Sequence, residues 1–416
     1  MHLCRAGLRV CLLDRATFPS DTPSTHGIQP SGVEALGRLG VLERLSKVSA
    51  SVNHGRLAFD DMRVDIPDFT ALLGAPMLNA RRLVLDEILL EAAAAAGAEV
   101  RTGVAAKGLI KEGGRVAGIE TSAGPVRAGL TIGADGARST IARLVDARSY
   151  RETPGRRVFL WGYFEGVLED ESVWLGQVGD RGYLATPTDG GLFLAAVVEP
   201  LERLSRLRSE REQLHAEGIA AWPELADRLA GAQRVGALRA MGRWQGFFRR
   251  ATGPGWALIG DAGHFKDPTP GQGIADALRQ AETMAPAIAE AWGEARAVDA
   301  ALRDWWRWRD RDAWEMYWFA QDMGSQELAP LLLGEFGAWL ADNPEQAQEF
   351  LRVLNHEIPP SKFFTPRIMA PLVARAFASG RGRRRALARE LRNLTVNEFR
   401  HRRPLRFPAK PRPSAG

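Results

Sequence analysis

Residues 256–284 read WALIGDAGHFKDPTPGQGIADALRQAETM, and the order of apolar runs, acids and glycines within them decides the fold. Residues 256–259 are an apolar run of buried-strand length. Gly260-Asp261 follows at once, then a loop punctuated by Pro268 and Pro270, then Gly271-Gln272-Gly273. From Ile274 onward the apolar residues recur at Ala277, Leu278 and Ala281, the spacing of one helix face. A strand, an acidic turn, a glycine-rich loop and a helix start, in that order, make a place to hold an anionic group. The first N–H groups of a helix lack intrahelical partners and carry partial positive charge. Glycine lets a ligand approach the backbone closely. An ordinary loop-to-helix turn does not need Asp261, two prolines and two glycines together, so a ligand site is expected here.

The same device recurs upstream. Residues 130–134 read as a buried strand closed by Asp135-Gly136 and followed by a short helix. Residues 8–14 read as a strand ending in Asp14, preceded by a helix end that Gly7 stops. In a dinucleotide-binding unit such an acid closes the second strand, after a first strand and a glycine-rich turn, and accepts hydrogen bonds from ribose hydroxyls. Residues 16–30 form a polar loop whose His26 is read as a hydrogen-bonding bystander. Ser31 is expected to cap a helix carrying Val33, Leu36, Leu39 and Leu42. A helix over 81–96 opens on Arg81 and Arg82, cations that oppose the helix dipole unless an anion lies nearby. A strand at 98–102 and a β-meander over 107–126, turning at Gly113-Gly114 and Ala123-Gly124, complete this part.

From residue 156 the texture changes. Strand-like runs at 158–167, 172–178, 183–187 and 192–198, a helical excursion at 201–231 and a return strand at 233–242 describe a second, antiparallel sheet. After residue 300 the pattern is helical, and Trp305, Trp306, Trp308, Trp314 and Trp318 are expected to pack one long helix onto the body rather than line a pocket. The fold class is α/β: a Rossmann-like domain, an antiparallel-sheet domain and a helical C-terminal region.

A chain of 416 residues can bury the cores of two or three domains, and its 45% hydrophobic and 25% charged residues are ordinary for a globular protein. The Ala-rich run at 88–98 is broken by Glu91 and Gly97, so it does not read as a membrane span. Cys4 and Cys11 give neither a disulfide framework nor zinc spacing, and a reduced, cytoplasmic setting is the expectation. The net charge of +5 is uneven: residues 361–416 hold 15 Lys/Arg against Glu390 and Glu398, a local balance of +13 that leaves −8 for the rest. An arginine-rich helix and a loose, disordered basic tail at 404–416 account for this, with weak contact to an acidic membrane surface as the alternative. No nucleic-acid partner is expected, because no aromatic stacking platform accompanies the charge.

Three stretches then carry a resemblance: LRVCLLDRATFPSDTPSTHGIQPSGVEALGRLG at 8–40, TIGADGARS at 131–139 and LIGDAGHFKDPTPGQGIADALRQAE at 258–282. Together, and in this order, they resemble the FAD-dependent aromatic-hydroxylase-like oxidoreductases (group A flavoprotein monooxygenases). That superfamily also holds flavin halogenases, squalene epoxidases and geranylgeranyl reductases. The resemblance covers residues 1–300 and implies roles. Asp14 matches the acid on the adenosine ribose, Arg15 lies beside the adenine, and Val104 matches a backbone contact to that ring. Arg82 falls near the family's residue that approaches the flavin. Asp135 and Gly136 match an acid-glycine motif linked to FAD and, in some members, to reduced nicotinamide. Gly260 and Asp261 match the contact to the ribityl and pyrophosphate region. Gly271, Gln272, Gly273 and Ile274 match the loop whose N–H groups face the flavin pyrimidine edge.

The implied cofactors are FAD and, as reductant, NADPH or NADH; the implied reaction uses dioxygen to hydroxylate or epoxidise a small organic substrate. The cofactor carries the difficult steps, so no protein nucleophile or metal is required and no catalytic residue is assigned. His264 and Lys266 lie near the flavin loop, with catalysis and positioning both open. The resemblance divides the chain into an FAD-binding first part (1–150), a substrate domain (151–242), an FAD-binding second part (243–300), a helical region (301–403) and the tail (404–416).

The chain departs from the family in two places. The halogenase signature, two tryptophans one residue apart followed by Ile-Pro, is absent, which argues against halogenation. The family also opens with a strand and a glycine-rich turn that do not occur before Asp14. A start placed about 25–30 residues too late, the length of a strand–turn–helix unit, is expected, against true truncation. A flavin-dependent double-bond reductase of the geranylgeranyl reductase type and a non-catalytic flavoprotein relic are the alternative functions.

Overall fold

The computed structural model describes residues 1–401 apart from residues 25, 60–61, 67, 169, 326–329 and 380–383. The basic tail expected at 404–416 lies outside the described residues. The acid-terminated strands of the sequence pattern pair in parallel. Cys11–Leu13 runs beside Glu99–Arg101, and Thr131–Gly133 beside Trp256–Leu258. The first strand is shorter than its apolar run, but Asp14 N–H still donates to Arg101 O and Val104 N–H to Asp14 O, so pairing continues past its end. Helices Pro30–Leu39 and Arg82–Ala95 pack through Val33, Leu36, Leu85 and Ile88. The expected meander forms from Ala106–Glu112, Arg115–Thr121 and Gly124–Arg127.

Ser31 is not the cap of its helix. The helix starts one residue earlier, with Pro30 in the first turn after Gln29, because proline has no N–H to leave unsatisfied there. Ser31 instead donates its hydroxyl to Asn355 O and its N–H to Asn355 Oδ1. The cations at the start of Arg82–Ala95 do find anions: Arg81 binds Asp189 and Arg82 binds Asp86.

The second sheet has seven strands: Gln233–Gly242, Arg157–Glu165, Leu192–Pro200, Arg181–Thr188, Ser172–Val178, His54–Phe59 and Met62–Ile66, in that spatial order. Five of these were legible as strands. The hairpin at 54–66 adds two more, and His54–Phe59 runs parallel to Ser172–Val178. Side chains alternate across this sheet as the pleat requires. Val158, Leu160, Tyr183, Ala185 and Val197 face the helical excursion, against Leu214, Trp222 and Leu225. Phe159, Trp161, Tyr163, Leu194 and Val198 occupy the other face.

Helix Ala295–Met323 carries the tryptophans. Trp305 and Trp306 pack against Met284 and Ile288 as expected, but Trp314 and Trp318, two to three turns on, face a large cavity. Core packing and pocket lining are thus divided along one helix.

The excursion sits on the sheet through Gly218, where an added Cβ would lie 2.5 Å from Val197 Cγ1. Gly218→Ala gains about 1 kcal/mol of helix propensity, but overpacking against the β-branched Val197 costs about 1–3 kcal/mol. The clash wins, so Gly218→Ala lowers the urea midpoint of unfolding. An unchanged or raised midpoint would refute this packing.

Candidate functional site

The four strands of the two parallel pairs Cys11–Leu13 with Glu99–Arg101 and Thr131–Gly133 with Trp256–Leu258 end beside residues singled out from sequence. Asp14 and Val104 follow one pair of strands; Asp135 and Asp261 follow the other, where Ile259 N–H donates to Gly133 O. Ligands of open α/β sheets bind in the crevice outside such carboxyl ends. Electrostatics link the positions. Asp86, the partner of Arg82, is raised by burial and also feels Asp14, while Asp261 feels Arg82. Arg249, which sequence reasoning missed, donates to Ala137 O and to Ala262 O and so ties the two acid turns together.

The individual side chains divide into committed and uncommitted ones. Asp14 Oδ1 accepts from Ala16 N–H, closing its own turn, and Arg15 beside it is exposed. Asp135 is exposed, yet its Oδ2 accepts from Thr140 and Ile141 N–H and its Oδ1 from Ser139, so this carboxylate caps the helix Thr140–Leu144. Arg82 holds Asp86 at 2.6 Å. Gly136, Gly260 and Gly271 have φ of 77°, 58° and 66°, the left-handed region in which other residues are strained.

At the loop before helix Gly273–Ala291, the first-turn N–H groups of Gly273 and Ile274 have no backbone acceptor among the described residues, and the space beyond Gly273 Cα is open. Gln272 turns inward instead: its Oε1 accepts from Lys266 Nζ at 2.6 Å and its Nε2 donates to Leu354 O at 2.7 Å. Lys266 Nζ also lies 2.6 Å from Asp276 Oδ2, and His356 Nδ1 lies 2.9 Å from Asp276 Oδ1. Burial opposes the charge on Asp276, but Lys266, His356 and Arg279 outweigh it and hold the carboxyl well below its ordinary range. The Lys266 ammonium is therefore committed to Gln272 and Asp276. His264 is buried against Phe248 at 4.6 Å between ring centres, and burial with Arg309 nearby keeps it neutral.

Asp261 differs from all of these. It follows Gly260, whose N–H is taken by Gln280 Oε1 at 2.9 Å, and its carboxylate has no partner among the described residues. Burial, with Asp276 adding to it and Arg82 and Lys266 opposing, pushes its pKa up to about 6. A partly buried carboxylate without donors suits a ligand that brings hydroxyl groups of its own. Beside it, the open helix start suits an anionic or electron-rich edge.

The same loop borders a cavity of about 1450 Å³. Pro268, Thr269, Pro270 and Gly271 form part of its wall. Leu184 and Val198 of the large sheet, Trp314 and Trp318, and Phe336 and Leu372 of the C-terminal helices form much of the rest. Cofactor-type features and an apolar chamber thus meet at residues 268–271. Asn79 and Gln29 also line it, and no sequence signal marked either.

A doubly layered protein with an anion-competent helix start, acids (Asp14, Asp135 and Asp261) after three of the four paired parallel strands and an adjoining chamber is a nucleotide-cofactor protein in architecture. More particularly, residues 1–319 match the family model described as the FAD binding domain, and the chain belongs to that family. It is 28% identical over 283 residues to the rifampicin monooxygenase of Streptomyces venezuelae, covering 64% of this chain and 56% of that protein's length. It is 29% identical over 295 residues to the menaquinone reductase of Mycolicibacterium smegmatis, covering 65% of this chain and 68% of the relative. In fold it is similar to a flavin-dependent brominase, with a TM-score of 0.72 and 20% identity over 91% of this chain and 95% of the other.

Two outcomes follow. An acid whose pKa rises on folding costs stability as pH climbs from its ordinary value near 3.8 through about 6. Asp261→Asn removes that cost, so cofactor-free D261N melts above wild type at pH 8 and the gap closes towards pH 4; a pH-independent gap contradicts this. Lys266→Met leaves Asp276 and Gln272 buried without their cation and lowers unfolding free energy by about 3–5 kcal/mol in denaturant titration.

Proposed function

We propose that this chain is an FAD-dependent oxidoreductase, using NADPH or NADH and dioxygen to hydroxylate or epoxidise an organic molecule bound in the 1450 Å³ cavity. The observation that carries this reading is the uncommitted Asp261 carboxylate next to the open start of helix Gly273–Ala291, in the loop that also walls the cavity. Bound FAD would supply hydride acceptance and dioxygen activation, which no side chain of the chain can perform.

The residues present fit that group. Asp261 accepts from the ribityl hydroxyls. The N–H groups of Gly273 and Ile274 would meet the flavin pyrimidine edge, where the partial positive charge of a helix start suits negative charge, while the Gly271 N–H is already taken by Pro268 O. Lys266, through Gln272 and Asp276, keeps that backbone in register without touching the cofactor. Asp14, with Arg15 and Val104, holds the adenosine end. Gly136 offers its turn backbone, because the Asp135 side chain is spent on its helix. Arg82 lies at the flavin approach with its charge already balanced by Asp86. On this reading, 1–150 without the hairpin at 54–66, together with 243–300, makes the cofactor domain, 151–242 with that hairpin the substrate domain, and the described part of 301–403 the outer wall of the chamber.

The similarity to a menaquinone reductase supports a second reading, reduction of a double bond without oxygen transfer. One experiment separates them. Purified protein given FAD is gel-filtered and its visible absorbance recorded; NADPH is then added anaerobically, followed by ¹⁸O₂ and a panel of neutral polycyclic substrates. Flavin retention, bleaching and a product one labelled oxygen heavier are expected. A product two hydrogens heavier without label favours the reductase, and protein that stays colourless with FAD overturns both. Asp261→Ala weakens FAD binding about ten- to hundredfold, the loss of one or two charge-assisted hydrogen bonds, as read by fluorescence quenching of added FAD.

A further inference from the structure

The positive charge of the C-terminal region takes a definite form on the helix Arg384–His401, which packs on helices Pro330–Asp342 and Pro366–Ser379. One side of it faces the protein. Leu387 is buried with Leu332 and Ala376, Leu394 packs beside them, and Leu391 and Leu394 line the chamber. Glu390, the only acid between residues 384 and 396, accepts from Leu332 N–H at 3.2 Å. The other side is cationic. Arg384, Arg385, Arg389 and Arg392 are all exposed, and at 3.6 residues per turn they fall within about 140° of one another. None of the four has an ion-pair or hydrogen-bond partner among the described residues.

This arrangement works against the helix that carries it. Arg384 and Arg385 stand in the first turn, where cations oppose the helix dipole, and no acid occupies that turn. Arg385 and Arg389 are neighbours at a spacing of four and Arg389 and Arg392 at a spacing of three, so their guanidinium groups repel. No acid lies three or four residues after any of them. By contrast, the exposed Arg38, Arg44 and Arg375 of other helices pair with Glu282, Glu91 and Asp342. A face that repels itself and neutralises nothing within the chain is complementary to an anionic surface outside it.

We propose that this face of helix Arg384–His401 docks the protein peripherally on an anionic phospholipid bilayer. Four or more cations on one amphipathic helix are what such lipid surfaces attract, and guanidinium forks match phosphate oxygens. Among the described residues no helix is long and apolar enough to cross a membrane, and the apolar side of this one is packed on the protein, so the contact is with headgroups. Val396, 40% exposed, lies on the same face as the arginines and suits the headgroup layer. A nucleic acid also presents phosphates, but no aromatic ring stands among the exposed residues of 384–396 to stack a base. Because the opposite side of the helix lines the chamber, docking sets the chamber about one helix diameter, roughly 10 Å, from the lipid surface. The proposal is independent of the cofactor reading.

The test is flotation of the full chain with vesicles of phosphatidylcholine alone and of an equimolar mixture of phosphatidylcholine and phosphatidylglycerol, at about 0.1 M KCl, where charges still act over about 10 Å. Binding to the mixed vesicles only, reversed at about 1 M KCl, is expected. Each arginine at the surface contributes about fivefold in affinity. Arg389→Gln therefore weakens partitioning about fivefold, and the fourfold variant Arg384→Gln/Arg385→Gln/Arg389→Gln/Arg392→Gln weakens it by several hundredfold, while melting no lower than wild type because repulsion is relieved. Should that variant not fold, Arg389→Gln alone decides. Equal flotation with both kinds of vesicle overturns the proposal, as does flotation of either variant at wild-type strength, which would assign the attraction to the other cations of the chain. Failure to float with either vesicle overturns it too, and tighter binding to a short DNA duplex than to the mixed vesicles in the same salt assigns the face to nucleic acid instead.

Discussion

The ion pair between Lys266 and Asp276 fixes the part of the molecule on which the rest depends. Both groups are nearly buried, at 6% and 10% side-chain exposure, and lie 2.6 Å apart. Charges so far from water are tolerated only when geometry and further hydrogen bonds compensate for desolvation. Here further hydrogen bonds supply that compensation: Lys266 also donates to Gln272 Oε1, and Asp276 takes His356 as a second partner. Residues 267–271, between these fixed points, form the loop that faces both the helix start and the cavity. Its conformation is set from both ends, so the backbone N–H groups beyond it are held in place before any ligand arrives.

The same network reaches outside the family-matched region. Gln272 Nε2 donates to Leu354 O, His356 binds Asp276, and Asn355 accepts from Ser31 N–H while its own carbonyl takes the Ser31 hydroxyl. Residues 354–356 therefore seat the C-terminal helices against the loop and against helix Pro30–Leu39. Those helices contribute Leu332, Phe336, Leu372 and Leu394 to the chamber, all beyond the family match at residue 319. The cofactor-type features come from the shared part of the chain, while much of the chamber wall comes from the part that is not matched. Moving the wall would disturb the loop, because both hang on Gln272 and Asp276.

Legibility in the sequence followed the range of the forces involved. The parallel strands and their terminal acids, the meander turns at Gly113-Gly114 and Ala123-Gly124, and four neighbouring strands of the large sheet between 157 and 200 are local patterns of alternation and turn chemistry, and they stand where expected. The hairpin at 54–66 escaped because its parallel partner lies more than 100 residues away. His356 and Asn355 escaped for the same reason: their partners at 276 and 31 are joined to them only by the fold. His26 was legible only as a polar loop residue. Folding buries it, gives it a positive φ, sets its Nε2 2.5 Å from Tyr163 OH, and pushes its pKa down to about 4, mainly by removal from water. Asp135 shows the converse, because an acid-glycine turn looks alike in sequence whether the acid serves a ligand or, as here, the next helix.

The contrast between the two acid turns sharpens what marks a site. Asp135 and Asp261 follow adjacent parallel strands and each begins a turn with a left-handed glycine beside it. One carboxylate is satisfied locally, and the N-capped helix Thr140–Leu144 gains from it. The other has Gly260 N–H taken away from it by Gln280, has Arg82 drawn off to Asp86, and has Lys266 committed to Asp276. The two cations that would relieve Asp261 and the Gly260 N–H beside it are thus each engaged by a buried or partly buried partner. A sequence shaped for stability alone would satisfy this acid or replace it, since local and global preferences agree wherever function does not intervene. The unpaired carboxylate, rather than the glycine-rich motif beside it, is the feature that stability does not explain and that a hydroxyl-bearing ligand does.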